Sequence, residues 1–138
     1  MTNLTTTSKI DKALPWLVLL YGLSSLMHFT HNAEYLAAYP NLPAWLTGAQ
    51  IYATWLGITA IGVLGYALYR TGRARTGLSL LGLYAALGFD GLLHYGRAPF
   101  AAHSSTMNFT ICTEVAAAAL LLASIAAVAS TPALRRGR

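Results

Sequence analysis

The chain has 138 residues, of which 56% are hydrophobic and 9% charged, with a net charge of +5 and a mean hydropathy of +0.52. That composition excludes an ordinary soluble domain and places residues 1–138 in a bilayer as a single membrane domain. The cations fall between apolar runs rather than along a polar face, which excludes nucleic acid as a partner, and a lone Cys112 excludes an internal disulfide framework.

Residues 1–12 are polar and Thr-rich and read as a frayed lead-in, with Asp11 a solvated charge or a helix N-terminal acid. The apolar run behind Lys9 and Lys12 is longer than a signal-peptide core and has no small-residue cleavage site after it. It is read as a retained first helix, about 13–34, with Pro15 in its first turn and Trp16 at headgroup level. The loop that follows, to Gly48, contains Pro40 and Pro43, which break any long helix, and the interfacial rings Tyr35, Tyr39 and Trp45.

A second helix is expected over about 49–69, where Ala53, Gly57 and Gly65 let neighbouring backbones approach; Arg70, Arg73 and Arg75 end it. The third, about 76–95, carries Gly77, Gly82, Gly88 and Gly91, ordinary in a tight membrane bundle and costly in a water-soluble helix. A short loop holds Arg97, Pro99 and His103. The fourth helix, about 106–129, is almost pure Ala and Leu beyond Glu114, and Arg135, Arg136 and Arg138 close the chain. Cys112 and Met107 read as apolar filler in this helix.

Of the Lys and Arg residues, two precede the first helix, three lie between the second and third and three follow the fourth, against only Arg97 on the other side. Both termini are therefore expected in the cytoplasm, in a bacterial inner membrane, and the fold class is all-α, an up-down bundle of four transmembrane helices.

All four histidines and three of the four acids fall in the expected outer half. Nothing about membrane folding requires that asymmetry, and a carboxylate at membrane depth costs a few kcal/mol unless it is partnered. His28, His31 and Glu34 are spaced i, i+3, i+6 along one broad side of a helix, and Asp90 and His94 are i, i+4 on one stripe. Glu114 shares a stripe with Met107, Thr110 and Ile111, which should turn it away from lipid.

These residue types point to a metal centre with His28, His31, His94 and His103 as nitrogen ligands and Glu34, Asp90 and Glu114 dividing ligand and general-base roles. Zinc would support hydrolysis through activated water, and iron, singly or as a pair, would support oxidation of an apolar, lipid-like substrate. Copper suits the set less well, although Met27 and Met107 are available thioethers. His28 and His94 are expected to share a cation if their helices are neighbours; if the helices are diagonal, a ligand from the fourth helix, Glu114, or a second metal is needed. No HExxH, CxxC, CxxCH, phosphate loop or GxSxG is present to name the reaction. Two other readings compete with the enzyme: metal binding or transfer without catalysis, and an accessory subunit packed in a homo-oligomer or larger membrane complex.

Overall fold

The computed structural model describes residues 2–131, with side chains from Asp11 onward, so Arg135, Arg136 and Arg138 lie outside the described residues. Its long elements are α1 (Thr2–Glu34), α2 (Gly48–Arg70), α3 (Ala74–Leu87), the short α4 (Leu93–Arg97) and α5 (Ser105–Ala129), joined by single 3-10 turns at Leu36–Ala38, Asp90–Leu92 and Phe100–Ala102. Four segments are long and apolar enough to cross a bilayer: Asp11–Glu34, Gly48–Arg70, Ala74–Arg97 and Ser105–Ala129. At about 1.5 Å per residue, a span of some 23 residues covers the ~30 Å hydrocarbon core. The protein is an all-α, four-helix integral membrane bundle.

The bundle is a four-sided ring in which α1 packs on α2 and α5, and α3 packs on α2 and α5. The first and third spans are therefore diagonal rather than adjacent. Inside the ring, Leu14, Tyr21, Leu81 and Leu121 are completely buried, whereas Trp16, Leu56, Val63 and Leu93 face outward. Such a belt of exposed large apolar side chains would be an association hazard in water and is what lipid-facing helices require.

The helices start where polar side chains can satisfy their free N–H groups. Thr47 accepts from the Gln50 N–H and caps α2, and Ser104 accepts from the Met107 N–H and caps α5. Both caps lie at the end of the bundle that carries the histidines. At the opposite end α1 extends back to Thr2, so the expected frayed lead-in is helical, and Asp11, exposed as expected, accepts a hydrogen bond from the Tyr69 hydroxyl.

The third span departs from the sequence reading most. Expected as one helix over about 76–95, it is α3, a turn at Gly88–Phe89, a 3-10 turn at Asp90–Leu92, and then α4. The backbone is closely packed where the break begins. A Cβ on Gly88 would lie 2.5 Å from Tyr21 Cε2, 2.6 Å from its hydroxyl and 2.7 Å from Ala118 Cβ, so α1 and α5 press directly on this backbone. Asp90 and His94 consequently do not share one α-helical stripe, because a 3-10 turn advances about 120° per residue. Cys112, expected as core filler, is exposed on the outside of α5, 3.9 Å from the Tyr95 hydroxyl.

Candidate functional site

The polar side chains at the histidine end come from α1, the first loop, the broken third span and α5. His28, at the end of α1, is 2% exposed, and Glu114, in α5, is 0% exposed. The expected stripe of Met107, Thr110, Ile111 and Glu114 does face inward as a unit. Glu114 Oε2 stands 3.7 Å from His28 Nε2, too far for a direct hydrogen bond. Gly91 closes over this pair, since a Cβ there would lie 3.5 Å from Glu114 Oε2 and 3.8 Å from His28 Nε2.

The other nitrogen of His28 sets its tautomer. Thr110 Oγ1 donates to the Met107 carbonyl at 3.0 Å, which leaves its lone pairs to accept, and His28 Nδ1 lies 3.3 Å away. His28 Nδ1–H is thus the donor, and the bare Nε2 lone pair faces Glu114. His103 repeats the pattern: its Nδ1 donates to the Pro99 carbonyl at 3.1 Å, and its buried Nε2 has no hydrogen-bond partner. An imidazole held this way presents the unprotonated nitrogen that a metal or a proton donor needs.

The three buried histidines form a file. The ring centroids of His28 and His94 are 5.5 Å apart and those of His94 and His103 are 6.1 Å apart, both edge to face. His28 and His94 meet although their spans are diagonal, since both are buried inside the ring. Asn108 fixes the far end of the file by donating to the Phe100 and His103 carbonyls at 3.2 and 3.3 Å while accepting from the Tyr95 hydroxyl at 2.9 Å. Asn41 ties the first loop to the same region, donating to the Arg97 carbonyl at 2.9 Å. Its φ of 57° is left-handed backbone, which Asn tolerates better than most residues.

His31 and Glu34 do not join this group. His31 Nδ1 is paired with the Tyr39 hydroxyl at 2.9 Å and its ring stacks on Tyr35 at 4.7 Å. Glu34 is exposed and accepts from the Tyr52 hydroxyl at 2.8 Å. The i, i+3, i+6 spacing holds on one helix, but the helix buries only the side that carries His28. Tyr39 is instead the buried member of the first loop, 4.9 Å from the His94 ring. Burial pushes its phenol up to about 12, so it remains a neutral donor near neutral pH.

Beside the file lies a cavity of about 150 Å³ bordered by His28, Asn32, Asp90, Gly91 and His94 together with Phe29, Leu46, Ile51 and Thr54. Asn32 Nδ2 lies 3.4 Å from His94 Nε2. Asn32 Oδ1, Asp90 Oδ1 and His94 Nδ1 are buried without a hydrogen-bond partner, as are both Glu114 oxygens. Each such atom costs about 1–3 kcal/mol, so the end of the bundle is built at the expense of stability. Among the described residues, no three His, Cys, Asp or Glu side chains converge tightly enough to form a ready-made metal site.

Asn32, Tyr39 and Asn108 are the site residues that sequence reading passes over. Asn32 had a signal, a polar amide directly after His31 near the end of an apolar helix; Tyr39 looked like any interfacial ring, and its burial is a property of the loop. No family model, curated protein or solved structure matches this chain.

Proposed function

We propose that this membrane protein binds a divalent transition cation, zinc or iron, at its histidine end, with His28 Nε2 and Glu114 Oε2 as the first donors. The observation that carries the reading is their 3.7 Å separation. Two donors each about 2.0–2.2 Å from one tetrahedral cation stand roughly 3.3–3.6 Å apart. Thr110 supports the reading as the outer partner that orients His28. His94 is the nearest further imidazole, and rings on one tetrahedral zinc have centroids roughly 5 Å apart, close to the 5.5 Å between His28 and His94.

Asp90 lines the adjoining cavity, which suits it to a general-base role toward water or an apolar substrate entering from the bilayer. His31 and Glu34 have no ligand role in this reading. Iron, including a paired centre, fits the mixed carboxylate and imidazole set; copper fits less well, because Met27 is partly exposed and Met107 Sδ is engaged by the Ser104 N–H. The Lys and Arg distribution supports an inner-membrane orientation with both termini cytoplasmic and the site outward.

A second reading, a metal-free acid–base pair of His28 and Glu114, is favoured by the lack of three converging donors among the described residues. Metal quantification on protein purified in detergent after exposure to zinc or iron separates the two. Near-stoichiometric metal that is lost in Glu114→Gln and in His28→Ala supports the first reading. Protein that takes up no metal above the level of His28→Ala refutes it and leaves the acid–base pair or a packing role as an accessory subunit.

A further inference from the structure

We propose that the cavity beside the histidine file is a headgroup site for a hydroxyl-bearing single-ring amphiphile of the membrane, a phenol or hydroquinone with an apolar tail. Size is the first argument. The cavity holds about 150 Å³, the volume at which an engineered protein cavity accommodates one benzene ring.

Its chemistry is divided along one axis. Phe29, Leu46 and Ile51 supply apolar walls, while Asn32, Asp90 and His94 supply the polar ones. Asn32 Oδ1 and Asp90 Oδ1 are acceptors without a donor, and His94 Nδ1 is a buried nitrogen without a partner. A hydroxyl group both donates and accepts, so a hydroxylated ring satisfies these atoms once their side chains turn toward it, whereas a bare hydrocarbon leaves them stranded.

The placement favours a molecule that arrives from the bilayer. The cavity runs from the buried His28 and His94 to Thr54, which is exposed on α2, one of the spanning helices. Its mouth is therefore on the side of the bundle, where a tail can lie against Leu46 and Ile51 and continue into lipid. A ring enclosed among a few convergent polar groups and apolar walls is the usual form of a small-molecule site. The site stands on the cavity and its unpartnered atoms, independently of whether His28 and Glu114 hold a cation.

The probe is 4-decylphenol against decylbenzene, which lacks only the hydroxyl, titrated into the full chain in lipid nanodiscs with and without EDTA, and read by calorimetry and thermal unfolding. Saturable binding of the phenol at least about tenfold tighter than decylbenzene is expected, in EDTA as well as without it. Asn32→Leu should reduce that preference. Thr54→Trp, at the exposed mouth, should weaken the phenol about tenfold or more while leaving the unfolding temperature of the ligand-free protein unchanged. Equal affinity for the two probes overturns the proposal. So does phenol binding that survives both substitutions, and so does the failure of the unmodified protein to bind the phenol at all. Phenol binding in protein that takes up no metal sinks the cation reading alone.

Discussion

Replacing Gly88 by Ala tests the link between packing and site. Gly88 lies at the end of α3 with ordinary φ and ψ of −72° and −1°, so alanine meets no backbone penalty and would gain up to about 1 kcal/mol from its better helix propensity. Against this stand the Tyr21 ring edge at 2.5 Å, the Tyr21 hydroxyl at 2.6 Å and Ala118 Cβ at 2.7 Å. Overpacking of a closed site costs typically ~1–3 kcal/mol, and blockage by two elements at once puts Gly88 at the upper end. The net expectation is a loss of about 2 kcal/mol, roughly 30-fold in the unfolding equilibrium. Gly82→Ala is the control, since a Cβ there meets nothing within 4 Å; it should be neutral or slightly stabilising. The assay is reversible unfolding in mixed micelles by circular dichroism. Adding Tyr21→Leu to Gly88→Ala should recover more than 1 kcal/mol relative to the sum of the single changes, a coupling expected only of touching residues. If Gly88→Ala is as harmless as Gly82→Ala, or shows no coupling to Tyr21, the close packing of α1 and α5 on the third span at Gly88 is wrong.

Other consequences concern the site and the topology. Glu114→Leu removes two buried oxygens that lack hydrogen-bond partners, so metal-free protein should be as stable as the parent or more stable by about 1–3 kcal/mol; marked destabilisation in the same unfolding assay would count against it. Thr110→Val leaves His28 Nδ1 without its acceptor and should weaken zinc binding ~10–100-fold, measured by competition with a chelating dye, if the cation reading holds. His31→Ala should leave zinc affinity within about twofold, because His31 is engaged by Tyr39 and Tyr35; a loss as large as that of His28→Ala would return His31 to the ligand set. Reporter fusions after Lys12 and at Gly72 should both report the cytoplasm, following the charge bias, and an external signal at Gly72 would reverse the proposed orientation.

Much of the fold is legible in the residues themselves because a bilayer imposes a one-dimensional rule. Each span must be about 20 apolar residues and must pair its own backbone groups, so four runs in the sequence become four spans, and the inward turn of Glu114 follows from the cost of a carboxylate facing lipid. Depth is also linear along a helix, which is why His28, His94 and Glu114 were placed at one end without knowledge of packing. Lateral arrangement obeys no such rule. Whether α1 neighbours α3, whether His31 or Asn32 turns inward, and whether Tyr39 is buried depend on how helices are rotated about their axes and on the path of the first loop. The break at Gly88 shows this most clearly. Four glycines in one span point to tight packing, but nothing in their spacing singles out Gly88, where Tyr21 and Ala118 press on the backbone, as the place where that helix ends. The 3-10 turn at Asp90–Leu92 likewise changes the relation of Asp90 to His94 from the one their spacing along the chain implies. Sequence thus determined which groups share a depth in the membrane, and tertiary packing decided which of them meet, because contact across a bundle is governed by helix rotation and close approach that no single helix encodes.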